Sequence, residues 1–416
     1  MQLAVTLEHR FVGTPDGAIW TSGIHAHQFW TRYLSVFDGV KVVARVENVT
    51  SPGANFKLAN GPGVVFIPIP NYLGPLQYLS KAFQVRSAVR NAIDRSDAVI
   101  MRVTSHLAGC LESKLVRLGH PYGLEIVGDP YDLYAAGAVR HPLRPIFRWW
   151  FTRQVRRQCR GAAAAAYVTE RALQVRYPCP AYSAGVSDAE ISEAAIWQPA
   201  AGITDRRHEE GRRDFRLVTV ASLAQMYKAP DVLIRAVGEC VAKGLDLRLQ
   251  IVGDGMYRRA LERLCCDLGL ADRVRFPGQL PAGERVRAQL DRSDLFVLPS
   301  WTEGLPRAMV EAMARALPCI GSDVGGIPEL LAEEDLVPPG NVEALARKIQ
   351  EVLSSPRRMA EMSARNLAKA REYRDEVLAE RRREFFDRVR LATLSWLERC
   401  GRAECPKGAE FERCRP

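Results

Sequence analysis

The sequence of 416 residues contains no uninterrupted apolar run of 18, which excludes a typical bilayer-crossing helix. Its opening, MQLAVTLEHRF, reaches charge after only a few apolar residues; the apolar centre of a secretory signal is missing, and the expected compartment is the cytoplasm. No CxxC pair occurs among the ten cysteines, so the usual zinc and dithiol patterns are absent. Adjacent Cys265 and Cys266 could not easily bridge each other without strain, and all ten are expected as reduced thiols. Cys400, Cys405 and Cys414 have no histidine nearby and read as a frayed terminus rather than a metal site. No DxD-type magnesium site, obvious covalent nucleophile or internal repeat stands out. Nor does a helix-turn-helix, zinc or RNP-like pattern accompany the basic residues, so nucleic acid is not an expected partner. Neither a metal nor a cofactor is expected.

What is present is an ordinary soluble composition, 47% apolar and 25% charged, in a chain long enough for two domains. Fifty-eight Lys plus Arg against 48 Asp plus Glu give +10, which favours an anionic partner. Short apolar runs alternate with amphipathic segments, the pattern of parallel sheets covered by helices. Strands are expected at 2–7, 41–46, 64–67, 97–102, 123–127 and 164–168. From about 186 to 213 the pattern lapses into a polar, Pro/Gly-interrupted run that reads as a domain boundary. It restarts with FRLVTVAS, LRLQIVGDG, RVRFPG, DLFVLPS and PCIGSDVGG, each a strand ending in a turn. The expected division is a first α/β domain at 1–188, a linker at 189–213, a second α/β domain at 214–372, a helix at 373–396 and a tail at 397–416. The late helix carries Phe385, Phe386, Val389, Leu391 and Trp396, which need a partner surface.

Ligands of open α/β sheets bind beyond the carboxyl ends of the strands, so these turns are where a site is sought. IVGDGMYRRAL (251–261) puts Gly253 and Gly255 between strand and helix, where backbone can approach a ligand or simply turn. PSWTEGLPRAMVEA places Pro306 at the start of a helix and amides near Gly304 and Leu305 at its positive end, a natural diphosphate cradle. Glu311 then lies between one and two turns into the helix, while Glu303 stays on the loop. A carboxylate beside phosphates would repel them, so its use is to accept hydrogen bonds from neutral hydroxyls. On these facts alone a solvated helix residue and a cap explain the two acids equally well.

VASLAQMYKAPDVLIRA, IVGDG, RVRFPGQLP, DLFVLPSWTEGLPRAMVEAMARALPCIGSDVGGIPELL and LVPPGNVEALARKI occur in the order seen in retaining glycosyltransferases of family four. The chain resembles that family, specifically over about 215 to 355 and more loosely before. The resemblance implies the GT-B fold, two Rossmann-like domains facing across a cleft, with acceptor in the first and nucleotide sugar in the second. It implies that Glu303 and Glu311 are the E-x7-E acids, Glu303 binding donor-sugar hydroxyls and Glu311 the ribose. Lys228 resembles the lysine that neutralises the donor diphosphate. Gly325 and Gly326 resemble the second glycine turn, and Phe276 to Leu280 the turn beside the nucleobase.

The pattern is departed from in places. Ser222 stands where the family usually has an arginine, leaving Lys228 and the helix end to hold the diphosphate. Many relatives carry a histidine where GLEIVGDPYD offers Gly128 and Asp129. Asp129 therefore has two readings, acceptor steering or a capping role in an Asp-Pro turn. Glu125, within that apolar strand, would be expensive unpaired, and Arg102 is a partner for it. His106 is a candidate for the acceptor cleft, against a purely structural role. TPDGAIWTSG supplies Gly17 as the counterpart of a phosphate-side glycine loop, without the usual Gly-Gly pair. In RPIFRWWFTRQVRRQCR (144–160) the wheel groups Ile146, Phe147, Trp150, Phe151, Val155 and Cys159 on a sheet-facing side. Trp149 falls among arginines, as in a peripheral membrane contact or a plain surface helix.

The resemblance thus implies an enzyme moving a sugar from a nucleotide diphosphate to a glycan or lipid-linked acceptor with retention, without metal, in exopolysaccharide or envelope glycan assembly. A GT-B sugar phosphorylase and a non-catalytic binder of sugar nucleotides or polyanions are the alternatives.

Overall fold

The computed structural model describes residues 1–135, 141–198 and 214–403. Most of the expected linker, and residues 404–416 with Cys405 and Cys414, lie outside the described residues, while 397–403, expected as tail, continue the last helix.

The first sheet comprises β1 (Gln2–Gly13), β2 (Ile19–Thr21), β3 (Gly39–Asn48), β4 (Lys57–Leu58), β5 (Val64–Pro70), β6 (Ala98–Val103), β7 (Gly123–Ile126), β8 (Ala164–Tyr167) and β9 (Ser183–Gly185). Its parallel part runs β5-β3-β1-β6-β7-β8-β9, and the short antiparallel pair β2 and β4 extends the far end of β1. The second sheet comprises β10 (Asp214–Val220), β11 (Asp246–Val252), β12 (Val274–Gly278), β13 (Leu295–Leu298), β14 (Cys319–Ser322) and β15 (Leu336–Val337). Its order, β12-β11-β10-β13-β14-β15, is wholly parallel. Both sheets reverse direction beside their first strand, the switch point at which such sheets open a crevice.

Central strands such as β6 and β13 are buried along their whole length, the continuous apolar run that a sheet covered on both faces requires. Arg102 and Glu125 interrupt two of those runs and are in register on β6 and β7. They form a buried ion pair, and Tyr33 Oη donates to both Glu125 oxygens at 3.0 Å. Arg102 also reaches Asp188 at 2.8 Å. Burial works to raise the Asp188 carboxyl, but Arg102 and Arg32 prevail and hold it well below the usual carboxylate range.

The chain crosses between the domains twice, and the crossings touch. Ile191 N donates to Tyr373 O at 2.9 Å and Asp375 N to Ile191 O at 3.1 Å, beside a parallel bridge between Ile191 and Arg374. The returning helix Asp375–Ala403 buries Phe385, Phe386 and Val389 with strands of the first sheet, and Trp396 lies against His120. Leu391 departs from expectation and is 56% exposed. At 100° per residue it points about 200° away from Val389, off the buried face.

The helix Arg144–Gly161 also differs from the wheel. Phe151, Val155 and Cys159 are buried, but Ile146 and Trp150 are as exposed as Trp149. An 18-residue helix is about 27 Å long, whereas the four-residue strands β7 and β8 beneath it span about 13 Å, so its first half overhangs the sheet. Among the described residues the cysteines are free. Burial pushes the Cys159 thiol up to about 12 and those of Cys240 and Cys265 to about 11.

Candidate active site

At the carboxyl end of the second sheet, two loops lie backbone on backbone. Ala221 N donates to Val252 O and Leu223 N to Asp254 O, both at 2.9 Å. A Cβ on Gly253 (φ 141°) would sit 1.9 Å from Ala221 O, and one on Gly255 2.1 Å from the Leu223 carbonyl carbon. Both glycines serve this close approach; Gly253 additionally lines a cavity. A Cβ on Gly325 (φ 54°) would lie 1.9 Å from Glu303 O, while Gly326 N donates to Gly304 O at 2.7 Å. The second glycine turn thus fixes the loop that carries Glu303.

Lys228 closes a short 3-10 turn, and the buried Ala229 after it adopts a left-handed conformation (φ 50°, ψ 47°), which costs a non-glycine residue on the order of 1 kcal/mol. Trp301 N donates to Tyr227 O at 2.7 Å and ties this turn to the Glu303 loop. Lys228 Nζ lies 2.5 Å from Glu303 Oε1, and Ser300 Oγ donates to the same oxygen at 2.7 Å. Glu303 is 8% exposed, and among the described residues no hydrogen bond reaches its Oε2. That oxygen is available to a hydroxyl donor.

The helix Arg307–Ala314 follows, with Pro306 at its cap. Glu311 stands one turn in, where its Oε1 accepts from Arg307 Nε at 2.9 Å. Ser222, Lys228, Gly253, Gln279, Leu280, Arg307 and Glu311 line one cavity of about 380 Å³. Arg307 and Glu311 also line a second, of about 630 Å³, whose far wall is Gly23, Ile24, Arg32 and Lys57 of the first domain. The second site therefore opens from the first and spans the domains. Gly304 itself is pressed toward the first domain, where a Cβ would come within 3.4 Å of Val127 O. Beside it, the Glu329 carboxylate accepts from the amides of Glu170, Arg171 and Ala172 at 2.6, 2.9 and 2.6 Å.

First-domain expectations fare differently. Gly17 occupies the tip of the β1–β2 hairpin, its amide donating to Thr14 O at 3.0 Å, and lines neither cavity. Gly23, seven residues before Trp30, lines the cleft instead; β2 (Ile19–Thr21) carries the chain there from the hairpin tip. Asp129 caps the Pro130–Leu133 turn, accepting from Tyr131 N at 2.8 Å and Tyr177 Oη at 2.6 Å while pairing with Arg176. With its oxygens so committed and away from both cavities, it takes the capping role rather than acceptor steering. His106 opens the helix His106–Leu118, its ring between Tyr78 and Phe151 at 5.1 Å from each, and also lines neither cavity. The buried neighbour with perturbed chemistry is His25, which burial first, then Arg102 and His9, lower to about 3 against the opposing Asp188.

Sequence reasoning missed Arg307, although it lies in the quoted motif four residues before Glu311, the spacing of a helical ion pair. It also missed the helix Gly74–Asn91, whose Leu76, Leu79 and Phe83 stand outward, Leu76 and Phe83 more than 80% exposed. This helix packs on His106–Leu118, which packs on Arg144–Gly161, where Trp149 and Trp150 are exposed among Arg148, Arg153, Arg156 and Arg160. No described helix is long and apolar enough to cross a membrane.

Residues 214–355 match the family model of group 1 glycosyl transferases. Protein CapJ of Staphylococcus aureus is 27% identical over 79% of this chain and 81% of its own. The putative colanic acid biosynthesis glycosyltransferase WcaL of Salmonella typhimurium is 37% identical over 32% of this chain and 35% of its own, so that match spans about a third of the relative. Among solved structures, sucrose-phosphate synthase from Thermosynechococcus elongatus superposes with a TM-score of 0.67 at 18% identity, covering 94% of this chain and 100% of that one. Anabaena HepE, solved with UDP and glucose, gives 0.60 at 16%, covering 96% and 99%.

Proposed function

We propose that the chain, whose solved neighbours share the GT-B fold, is a group 1 glycosyltransferase that transfers a sugar from a nucleoside diphosphate to an acceptor hydroxyl with retention of anomeric configuration. The observation that carries this reading is that Lys228, Arg307 and Glu311 line one cavity at a helix start, with the buried Glu303 held behind it on Lys228. A diphosphate at that positive end would set its sugar toward Glu303 and its ribose toward Glu311. Lys228 and the amides of Gly304 and Leu305 would hold the phosphate charge, with no metal called for. The bond from the anomeric carbon to the phosphate oxygen breaks and one to the acceptor oxygen forms on the same face. The leaving phosphate takes the acceptor proton. The cavity shared with the first domain would receive the acceptor. HepE's bound UDP and glucose support a nucleotide-sugar donor, and WcaL's role in colanic acid supports envelope glycan assembly as the setting.

The outward apolar residues of Gly74–Asn91, together with the Trp149 and arginine face, suit a peripheral contact with an anionic bilayer, from which a lipid-linked acceptor would be drawn.

The two acids fail differently under substitution. Screening UDP, GDP, ADP and dTDP and their sugar conjugates, Glu303→Gln is expected to lower turnover on the order of a hundredfold while diphosphate binding persists. Glu311→Ala should weaken the plain diphosphate by roughly 1 to 3 kcal/mol. Equal, small effects on both would remove the site.

A further inference from the structure

We infer that Arg307 is the second phosphate-binding cation of this site and supplies the charge that Ser222 does not. The inference rests on the donor reading above. Ser222 offers the cavity a hydroxyl engaged by Ala224 N at 3.3 Å. Lys228 and Arg307 are the cations among the described residues lining that cavity. Lys228 is already held 2.5 Å from Glu303, so a diphosphate carrying at least two negative charges is under-compensated by it alone.

Arg307 is placed and free to serve. It is the first residue of its helix, and only its Nε is engaged, by Glu311 at 2.9 Å. Among the described residues its two terminal nitrogens have no hydrogen-bond partner, and the side chain is half exposed. A cation at the positive end of a helix is unfavourable on local grounds; an incoming anion reverses that sign. As ribose hydroxyls take up Glu311, the guanidinium can turn one helical step toward the phosphates and remain near its carboxylate. Arginine's forked donors suit this, since they can bind two phosphate oxygens at once. Three nearby arginines are committed elsewhere. Arg32 pairs with Asp188, Arg382 with Glu190, and Arg258 with Asp254 and Glu262.

The test is calorimetric titration of the full chain with UDP, GDP, ADP and dTDP, and with the four nucleosides, at two salt concentrations. Arg307→Gln should weaken whichever diphosphate binds by at least about tenfold, leave its nucleoside within twofold, and flatten the salt dependence. Arg307→Lys should fall between, and adding Ser222→Arg to Arg307→Gln should restore binding. Thermal melting confirms that the variants fold. If Arg307→Gln binds the diphosphate as tightly as the unaltered chain while Lys228→Ala weakens it, the inference fails and the donor reading stands. If the nucleoside weakens as much as the diphosphate, Arg307 acts through Glu311 on the ribose and the inference again fails. If the unaltered chain binds none of the four diphosphates, both fall together.

Discussion

The two domains share a strand order yet use the carboxyl ends of their sheets in opposite ways. In the first, charge in and beyond the strands is spent internally: Arg102 on Glu125 and Asp188, Asp129 on Arg176 and Tyr177, Glu8 on the amides that open His106–Leu118. In the second, the corresponding end keeps an unengaged Glu303 oxygen, a half-exposed Arg307 and a helix start facing a cavity. Topology offers both crevices, and side chains left without partners make the second the candidate binding site. The outer surfaces reverse the contrast. The first domain carries the broad apolar and basic patch, whereas the second exposes few large apolar side chains, chiefly Met256, Tyr257 and Leu268.

Breaking the first domain's internal pairing should have the largest effect. Glu125→Ala leaves Arg102 buried with one carboxylate fewer, and urea unfolding should register a loss of about 3 to 5 kcal/mol. A loss under about 1 kcal/mol would mean that Asp188 alone suffices. At the outer surface, sedimentation with anionic liposomes should fall about tenfold when Phe83 and Trp149 are both changed to Ala, given roughly 1.5 kcal/mol for the apolar burial lost. Changing Met256 and Leu268 in the second domain should leave it unaltered; no binding by the unaltered protein would remove the patch from the proposal.

The last expected effect is confined to acid pH. His25 is faced by Arg102, Arg32, His9 and Asp188, and its folded pKa of about 3 lies below the ordinary 6.5. Between those values the unfolded chain takes up the proton that the folded chain refuses, so His25 makes stability fall as pH drops from 6.5 toward 3. In His25→Phe the stability curve should be shallower across that window, and parallel curves for the two proteins would show that the ring titrates freely.

Much of the fold was readable because a strand buried on both faces must be a largely apolar run, and β6, β7, β8 and β13 are such runs, broken only by Arg102 and Glu125. Pairing of Arg102 with Glu125 was readable for the same reason, since a charge in that setting demands a partner. The Glu303 to Glu311 part of the candidate site was readable because it sits within one short motif, whereas Lys228, 75 residues from Glu303, came only through the resemblance. What escaped depends on distance or on geometry that composition does not encode. Strands of two and three residues, β4 and β2, leave no periodic signal, and β2 carries the chain from Gly17 at the hairpin tip to Gly23 in the cleft. Arg176 and Tyr177 reach Asp129 from 47 and 48 residues away. The outward residues of Gly74–Asn91 have the spacing of a core-facing stripe, and periodicity cannot tell a face turned inward from one turned out.

The paired crossings near Ile191 and Arg374 join the domains by two adjacent backbone segments stitched by two hydrogen bonds. A single tether would permit swivelling about its own length. Two joined side by side behave as a leaf hinge, because a twist must shear the Ile191 bonds to Tyr373 and Asp375 while a swing need not. Parting along that swing draws the Glu329 carboxylate away from the amides of 170–172. An opening of that kind would exchange three protein donors for water on one carboxylate, and the paired crossings would return these contacts along the same arc.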